Sequence, residues 1–282
     1  MSRRPLVLLA LAALSALAAA AVWVAAFVLP GGRELDATSM QAFTAVARPP
    51  LTPSIHGVAL LAGPLPFVLG GALLAGLALL RRRLLAAALV PVVLLAANAC
   101  TQVLKPALAD VRIIDLGNAS RIYPGSWPSG HSTASMSLAL CFVLVVGPRL
   151  RPLAALLGAG YAIGVGYALV ALGSHLPSDV LGGYLVAASF TLLGAAALAA
   201  LETLETRRPA PARRTGEPAA IPWPALAASL AALASLAALA LLVRNPELAI
   251  GTLRHADALL AAFGIGVLGL ALTAGLALAL GR

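Results

Sequence analysis

The stretch GYALVALGSHLPSDVLGG, residues 166–183, joins two apolar segments through one short polar break. The apolar runs on either side, at about 153–173 and 179–201, are each long enough to cross a hydrocarbon core roughly 30 Å thick. Because backbone polar groups inside a bilayer must be satisfied within their own segment, both runs are predicted to be helices. The break keeps His175 and Asp179, and an ionisable pair at a membrane boundary is costly unless it has a role.

The same apolar pattern recurs along the chain, whose 282 residues are 61% hydrophobic and only 10% charged. This composition excludes a water-soluble globule and predicts an integral membrane protein of all-α class, a polytopic transmembrane helix bundle. The first apolar run, which follows Arg3 and Arg4, could be mistaken for a signal peptide, but its length of about 25 residues favours a retained anchor. Eight spans are predicted, at about 5–29, 56–80, 84–104, 131–147, 153–173, 179–201, 222–243 and 258–280.

The basic residues predict the orientation of these spans. The net charge of +9 is compatible with nucleic-acid binding, but basic residues in a membrane protein first serve to orient its helices, so no nucleic-acid partner is expected. With the amino terminus inside, the inner segments hold most of the 19 basic residues, and the Arg81–Arg83 triplet lies in a very short loop. Both termini are therefore predicted to be cytoplasmic in a multi-pass protein of the cell membrane. The inner residues are Arg3, Arg4, Arg81, Arg82, Arg83, Arg149, Arg151, Arg207, Arg208, Arg213, Arg214 and Arg282.

Composition also divides the chain. Charges and prolines replace apolar residues after residue 201, which predicts a cytoplasmic linker at 202–220. Before it lies a six-helix body, which consists of an amino-terminal anchor with its outer loop, residues 1–54, and a core, residues 55–201. After it, a C-terminal transmembrane hairpin is predicted at 221–282. Cys100 and Cys141 fall within spans and are interpreted as small packing residues.

The segment SWPSGHSTASMS, residues 126–137, leads directly into the fourth span. Pro128 suits the first turn of a helix, and the backbone N–H groups of Ser129 and Gly130 lie at the positive end of the helix dipole, where an anion is stabilised. His131 follows this anion site, and an imidazole there can donate a proton to a departing oxygen.

Four further residues extend the pattern on the outer side of the spans. His175 and Asp179 are four positions apart, so a carboxylate that binds Nδ1 would leave Nε2 free to attack; alternatively, the pair only caps the next helix. Lys105, the single lysine of the chain, ends the third span with Arg112 seven residues on. These two cations either clamp phosphate oxygens or extend to the membrane interface.

Together, these residues resemble the motifs of a known family. Lys105 with Arg112, then PSGH at 128–131, then His175 with Asp179 are similar to the three ordered motifs of the type 2 phosphatidic acid phosphatase, or lipid phosphate phosphatase, superfamily. The resemblance implies that His175 is the nucleophile that forms a phosphohistidine and that Asp179 orients it. It also implies that His131 is the acid for the leaving alcohol. Lys105, Arg112, Ser129 and Gly130 would hold the phosphate, and no metal or cofactor is expected.

The chain departs from the family pattern at two places. Ile113 follows Arg112 where the family has proline, and Ala168 with Leu169 stand where the third motif begins with serine and arginine. Losing one preorganised donor to a transition-state anion typically costs about 3–4 kcal/mol. Arg121 in the outer loop is the first candidate to replace this arginine, and Arg254 is a more distant one; alternatively, Arg121 pairs with Asp115 or Asp110.

The sequence therefore predicts a membrane-embedded phosphatase that hydrolyses lipid phosphate monoesters or diphosphates at the extracytoplasmic face. The expected partners are a phosphorylated lipid and the bilayer itself. Two alternatives stay open. The first is a catalytically weak or inactive family member that binds a phosphorylated lipid, and the second is a lipid phosphotransferase that uses the same phosphohistidine.

Overall fold

The structure is a computed structural model that describes residues 3–44, 51–115, 120–205 and 256–281. The described part is a helical bundle with one small β-hairpin, which confirms the predicted fold class. Its nine α-helices and two strands are α1 (Arg3–Phe27), α2 (Gly32–Thr44), α3 (Thr52–Leu60), α4 (Pro64–Leu80), α5 (Leu84–Ala107), β1 (Val111–Asp115), β2 (Ser120–Pro124), α6 (Gly130–Val145), α7 (Arg151–Ala171), α8 (Pro177–Glu205) and α9 (Ala256–Gly281).

Several helix starts follow from prolines in the sequence. Pro64 opens α4 after Gly63 in an extended conformation, and Pro177 opens α8. Proline suits the first turn because its missing N–H has no intrahelical acceptor there. The predicted span 56–80 is consequently not one straight helix: α3 and α4 are bent by 48° at the break before Pro64.

Five described helices are long and apolar enough to cross a membrane, namely α1, α5, α7, α8 and α9, and a sixth span results if α3 and α4 are counted together. Leu65, Leu73 and Leu80 on α4 are strongly exposed, as expected for side chains that face lipid rather than water.

Helix α6 forms the centre of the bundle although it has only 16 residues. Nearly all of its side chains from Ser132 to Val145 are buried, because α4, α5, α7, α8 and α9 surround it. At Gly158, a methyl group would lie 3.0 Å from the Cβ of Ala139, so small residues allow α6 and α7 to approach closely.

Some segments outside the predicted spans contain helices or strands that the sequence analysis did not predict. Residues 30–55 and 105–130, which lie between predicted spans on the outer side, contain α2 and the β1–β2 hairpin. Helix α8 continues into the predicted linker 202–220 as far as Glu205. The predicted span 222–243 and the rest of that linker lie outside the described residues. Helix α9, from the predicted C-terminal hairpin, packs against α7, α6 and α2.

The alternating directions of the helices give the bundle two chemically different ends. The site end carries the carboxyl-terminal ends of α5 and α7 and the amino-terminal ends of α6, α8 and α9. The arginine end carries Arg4, Arg83 and Arg151, which donate hydrogen bonds to carbonyl groups at the ends of α9 and α6.

Candidate active site

The third motif forms a compact turn between α7 and α8. Helix α7 ends at Ala171, Gly173 adopts a positive φ of 60°, and the N–H groups of Ser174 and His175 donate to the carbonyl of Leu169. This turn returns the chain to the start of α8 within a few residues. It thereby brings His175 beside the first turn of α8.

His175 and Asp179 meet as the spacing predicted. Nδ1 of His175 lies 3.3 Å from Oδ2 of Asp179, and the same oxygen accepts a hydrogen bond from the Leu176 N–H at 3.1 Å. Asp179 is fully buried, whereas the side chain of His175 keeps 12% of its surface exposed. Asp179 therefore both caps α8 and binds the histidine, and its contact with Nδ1 leaves Nε2 as the ring nitrogen for chemistry.

The PSGH turn lies directly against this motif. The buried Ser129 is the N-cap of α6, and its Oγ accepts a hydrogen bond from the Ser132 N–H. Its own N–H donates to the carbonyl of Asp179 at 2.9 Å. The Ser129 N–H is thus engaged within the protein and is not a free donor for phosphate, in contrast to the sequence expectation. The N–H groups of Gly130 and His131 in the first turn of α6 remain at the positive end of the helix dipole.

Lys105 reaches the same helix end from α5. A methyl group added at Gly130 would lie 3.9 Å from Nζ of Lys105 and 3.6 Å from Nε2 of Gln102. A buried hydrogen bond of 2.9 Å between the hydroxyls of Thr101 and Thr133 joins α5 to α6 nearby. A cation beside the positive end of a helix is unfavourable by itself, so this arrangement favours an anion between them.

His131 completes the cluster. Its side chain is exposed at the surface of the site end, and it is near enough to Lys105 and His175 to interact with both electrostatically. The structure thus brings together four of the predicted site residues: Lys105, His131, His175 and Asp179.

The two predicted arginines of the outer loop lie on the hairpin. Arg112 on β1 pairs with Tyr123, and Arg121 on β2 pairs with Ile114, so the backbone register makes the two arginines diagonal neighbours. After the hairpin, Gly125 adopts a φ of 59° and returns the chain to the bundle. A methyl group added at Gly125 would lie 3.1 Å from the carbonyl oxygen of Lys105. The hairpin is therefore anchored next to Lys105.

Leu169, at the position where the resemblance predicts an arginine, is packed among apolar side chains. Leu169 is 3% exposed and belongs to an apolar cluster with Ala59 and Ala62, which lie at the end of α3 and just after it, and with Val165 and Ala168 of α7. Arg254, the more distant candidate to replace this arginine, lies outside the described residues.

Helix α2 supplies a buried carboxylate against the start of α8 that the sequence analysis missed. Asp36 is 7% exposed, its Oδ1 accepts a hydrogen bond from the Ser178 N–H at 3.0 Å, and Oδ2 accepts one from the Ser178 hydroxyl. Arg33 forms an ion pair with Asp110 just before β1, and the Thr38 hydroxyl donates to Asp257 on α9. Helix α2 therefore ties together the elements that position the site. The amphipathic composition of GRELDATSMQAFT was the only sequence signal for this helix.

Among the described residues, no group of three or more His, Cys, Asp or Glu side chains has the arrangement to hold a metal ion.

Gly183 is predicted to be essential for holding the two motifs together. A methyl group at Gly183 would lie 2.7 Å from the Ser129 carbonyl oxygen and 3.0 Å from the Thr133 nitrogen, both backbone atoms. We expect Gly183→Ala to destabilise the protein by about 1–3 kcal/mol, as overpacking does, and to lower any activity of the site. The measurement is the Tm of the purified protein in detergent.

Gly160→Ala is the matched control, because a methyl group at Gly160 on α7 meets no atom within 4 Å. Its Tm should equal that of the wild type or exceed it slightly, since alanine favours helix more than glycine does. Equal Tm values for the Gly183 and Gly160 variants would show that the contact between α8 and the PSGH turn is not tight.

Two comparisons with known proteins found a match. Residues 84–203 match the family model described as the PAP2 superfamily, which confirms the resemblance predicted from the three motifs. Among solved structures, the chain is similar to a transmembrane PAP2-type phosphatidylglycerolphosphate phosphatase from Bacillus subtilis, at 22% identity and a TM-score of 0.49, over 74% of this chain and 100% of that chain. No curated protein matches the chain.

Proposed function

We propose that this chain is a membrane-embedded phosphatase that hydrolyses a lipid phosphate monoester or diphosphate through a phosphohistidine at the extracytoplasmic face. The observation that carries the proposal is the convergence of Lys105, the α6 amino terminus, His131 and the His175–Asp179 pair at one end of the bundle. The first three stabilise an anion, and the pair leaves Nε2 of His175 available as a nucleophile.

The first step is attack of His175 Nε2 on phosphorus. A nitrogen–phosphorus bond forms while the bond from phosphorus to the leaving oxygen breaks, and His131 transfers its proton to that oxygen. Asp179 holds the ring by Nδ1 and stabilises the positive charge that develops on it.

The second step is hydrolysis of the phosphohistidine. His131, now neutral, accepts a proton from water as the water oxygen attacks phosphorus, and the nitrogen–phosphorus bond breaks to release inorganic phosphate. His131 is thereby protonated again and His175 is restored.

Lys105, Arg112, and the N–H groups of the first turn of α6, at Gly130 and His131, would hold the phosphate oxygens during both steps. Ser129 contributes by fixing the turn, through the hydrogen bond from its N–H to Asp179. Arg121 would provide the charge that Leu169 does not. The diagonal position of Arg121 next to Arg112 in the hairpin supports this role. Asp110, one of the two carboxylates that could pair with Arg121 instead, already forms an ion pair with Arg33.

Arg121→Ala is expected to weaken the binding of inorganic phosphate, as an inhibitor, by about tenfold, the size of one charge-assisted hydrogen bond. The inhibition constant for phosphate is the measurement. Arg149→Ala is the control, because Arg149 is an exposed arginine at the opposite end of the bundle. Unchanged phosphate inhibition in the Arg121 variant would exclude Arg121 as the replacement.

The two ends of the bundle support the proposed orientation in the membrane. Arg4, Arg83 and Arg151 lie at the end opposite the site, and the very short α4–α5 connection contains the Arg81–Arg83 triplet. The positive-inside rule then gives cytoplasmic termini and an extracytoplasmic site. A site at this membrane surface suits a substrate whose tail stays in lipid, such as a polyprenyl phosphate or diphosphate, phosphatidic acid or phosphatidylglycerol phosphate.

The second candidate function is a weak or inactive member that binds phosphorylated lipid. The observation that favours it is Leu169, which is packed in an apolar cluster where the family has an arginine. A lipid phosphotransferase would use the same residues and differ only in the acceptor of the phosphoryl group.

The experiment is phosphate release by the purified full chain from a panel of these lipid phosphates without added metal. Release of inorganic phosphate supports the phosphatase. A phosphorylated acceptor in place of inorganic phosphate indicates the phosphotransferase, and lipid binding without either product indicates the binding protein.

A further inference from the structure

A second charged cavity lies at the arginine end, a full helix length away from His175, or roughly 30 Å along α7. Its volume is about 220 Å³. Its three cationic residues come from separate parts of the chain: Arg4 near the start of α1, Arg83 just before α5, and Arg151 at the start of α7. Apolar side chains such as Leu144, Leu198 and Leu280 form the rest of the wall, and Glu202 is its one carboxylate.

The three guanidinium groups are held in place by backbone carbonyls. Arg151 and Arg4 both donate to the Leu280 carbonyl at the end of α9, at 2.6 Å and 3.1 Å. Arg83 donates to the carbonyls of Leu144 and Val145 at the end of α6, at 2.9 Å and 3.3 Å. Arg83 also forms a long ion pair with Glu202, at 3.9 Å, so the backbone carbonyls and one carboxylate together position the cations.

Two donors in this cluster have no protein partner. Nε of Arg4 and Nε of Arg151 are both buried and without a hydrogen-bond acceptor among the described residues. The Arg151 side chain is itself nine-tenths buried, with 9% relative exposure. Burying a charged donor unpaired is costly, so these atoms favour a ligand that brings several acceptor oxygens.

The excess of positive charge in the cavity favours an anionic ligand. Three guanidinium groups against one carboxylate leave an excess of positive charge in the cavity, and these like charges repel one another. Guanidinium groups match the planar, bidentate geometry of phosphate oxygens, and basic pockets between helix ends at the cytoplasmic surface suit anionic lipid head groups.

We propose that the cavity formed by Arg4, Arg83 and Arg151 is a non-catalytic phosphate-binding site. Its ligand is the phosphate of an anionic phospholipid from the adjoining leaflet, or inorganic phosphate, which offers the same oxygens. By bridging α1, α7 and the loop before α5, the bound phosphate stabilises the bundle at the end opposite the candidate active site. This site goes beyond the proposed phosphatase and does not depend on it.

The test compares ligand binding by the full chain and its variants in detergent micelles, by native mass spectrometry and by the ligand-induced rise in Tm. The probes are phosphatidylglycerol, phosphatidylcholine and inorganic phosphate. We expect the double variant Arg4→Gln/Arg151→Gln to bind the anionic probe about tenfold more weakly than wild type. Arg149→Gln is the matched control, because Arg149 is an exposed arginine at the same end that does not line the cavity.

Arg151→Lys serves if the double variant fails to fold, since lysine keeps the charge and a donor for the Leu280 carbonyl but lacks the Nε–H. It should also weaken binding. Arginine-dependent binding of phosphatidylglycerol over phosphatidylcholine identifies a lipid site, and arginine-dependent binding of inorganic phosphate alone identifies a free-phosphate site. Equal binding by wild type and the Arg4 and Arg151 variants, or an equal loss in Arg149→Gln, would overturn the proposal.

Discussion

His175→Ala is expected to lower phosphate release from a lipid phosphate by a factor of about 10³ or more. The reason is that no other group at the site has the position of Nε2 on a ring held by Asp179, and removal of a catalytic nucleophile typically costs several orders of magnitude. The measurement is kcat/KM for the substrate that the purified protein hydrolyses best, taken with a folding check by Tm.

His56→Ala is the matched control for this variant. His56 is an exposed histidine on α3, near the same end of the bundle, whereas His175 contacts the buried Asp179 carboxylate. Its kcat/KM should stay within about twofold of the wild-type value, as for surface substitutions with small effects. Retention of release by a folded His175→Ala protein would exclude His175 as the nucleophile.

His131→Ala is expected to lower phosphate release by about 10²–10⁴-fold for an alkyl phosphate, the typical contribution of a general acid. The loss should be much smaller for an aryl phosphate, because a phenolate is a better leaving group and needs little protonation. The measurement is therefore the ratio of kcat/KM for wild type and variant with two substrates that differ only in the leaving alcohol.

An equal loss with both substrates would assign His131 to phosphate binding instead of proton transfer. His131 lies next to Gly130 and within electrostatic reach of Lys105, so both roles are compatible with its position, and the leaving group separates them.

The helices and the main site residues were predictable because their signals are local. Apolar runs of about 20 residues predict spans without knowledge of their neighbours. The four-residue spacing of His175 and Asp179 similarly predicts contact within one helical turn, and the structure has this contact. Lys105 and the PSGH turn were expected together only because each lies at the outer end of a predicted span.

The supporting contacts were not predictable from local patterns. Asp36 contacts Ser178 across 142 residues of sequence, and such a buried carboxylate has no signature in its own segment. The partner of the Ser129 N–H was not predictable either, because the Asp179 carbonyl that accepts its hydrogen bond is distant in the sequence. The sequence analysis had assigned this N–H to phosphate. The bend between α3 and α4 was readable from Gly63 and Pro64, but the apolar pattern continued through them and concealed it.

The small elements of the outer loops show a further limit. The hairpin of Val111–Asp115 with Ser120–Pro124 has short strands within a polar loop, where pairing depends on partners distant from each strand in the chain. Its register decides that Arg112 and Arg121 are neighbours, and no spacing rule in the sequence gives that result.

The most direct test of the central claim is to identify the phosphorylated residue. The purified protein is mixed with its lipid phosphate substrate, quenched within the first turnover under conditions that preserve phosphohistidine, and analysed by peptide mass spectrometry. We predict a phosphoryl group on Nε2 of His175. It should be absent from His175→Ala and should accumulate in His131→Ala supplied with an aryl phosphate. Phosphate release with no phosphorylated peptide, or with the phosphoryl group on any other residue, would contradict it.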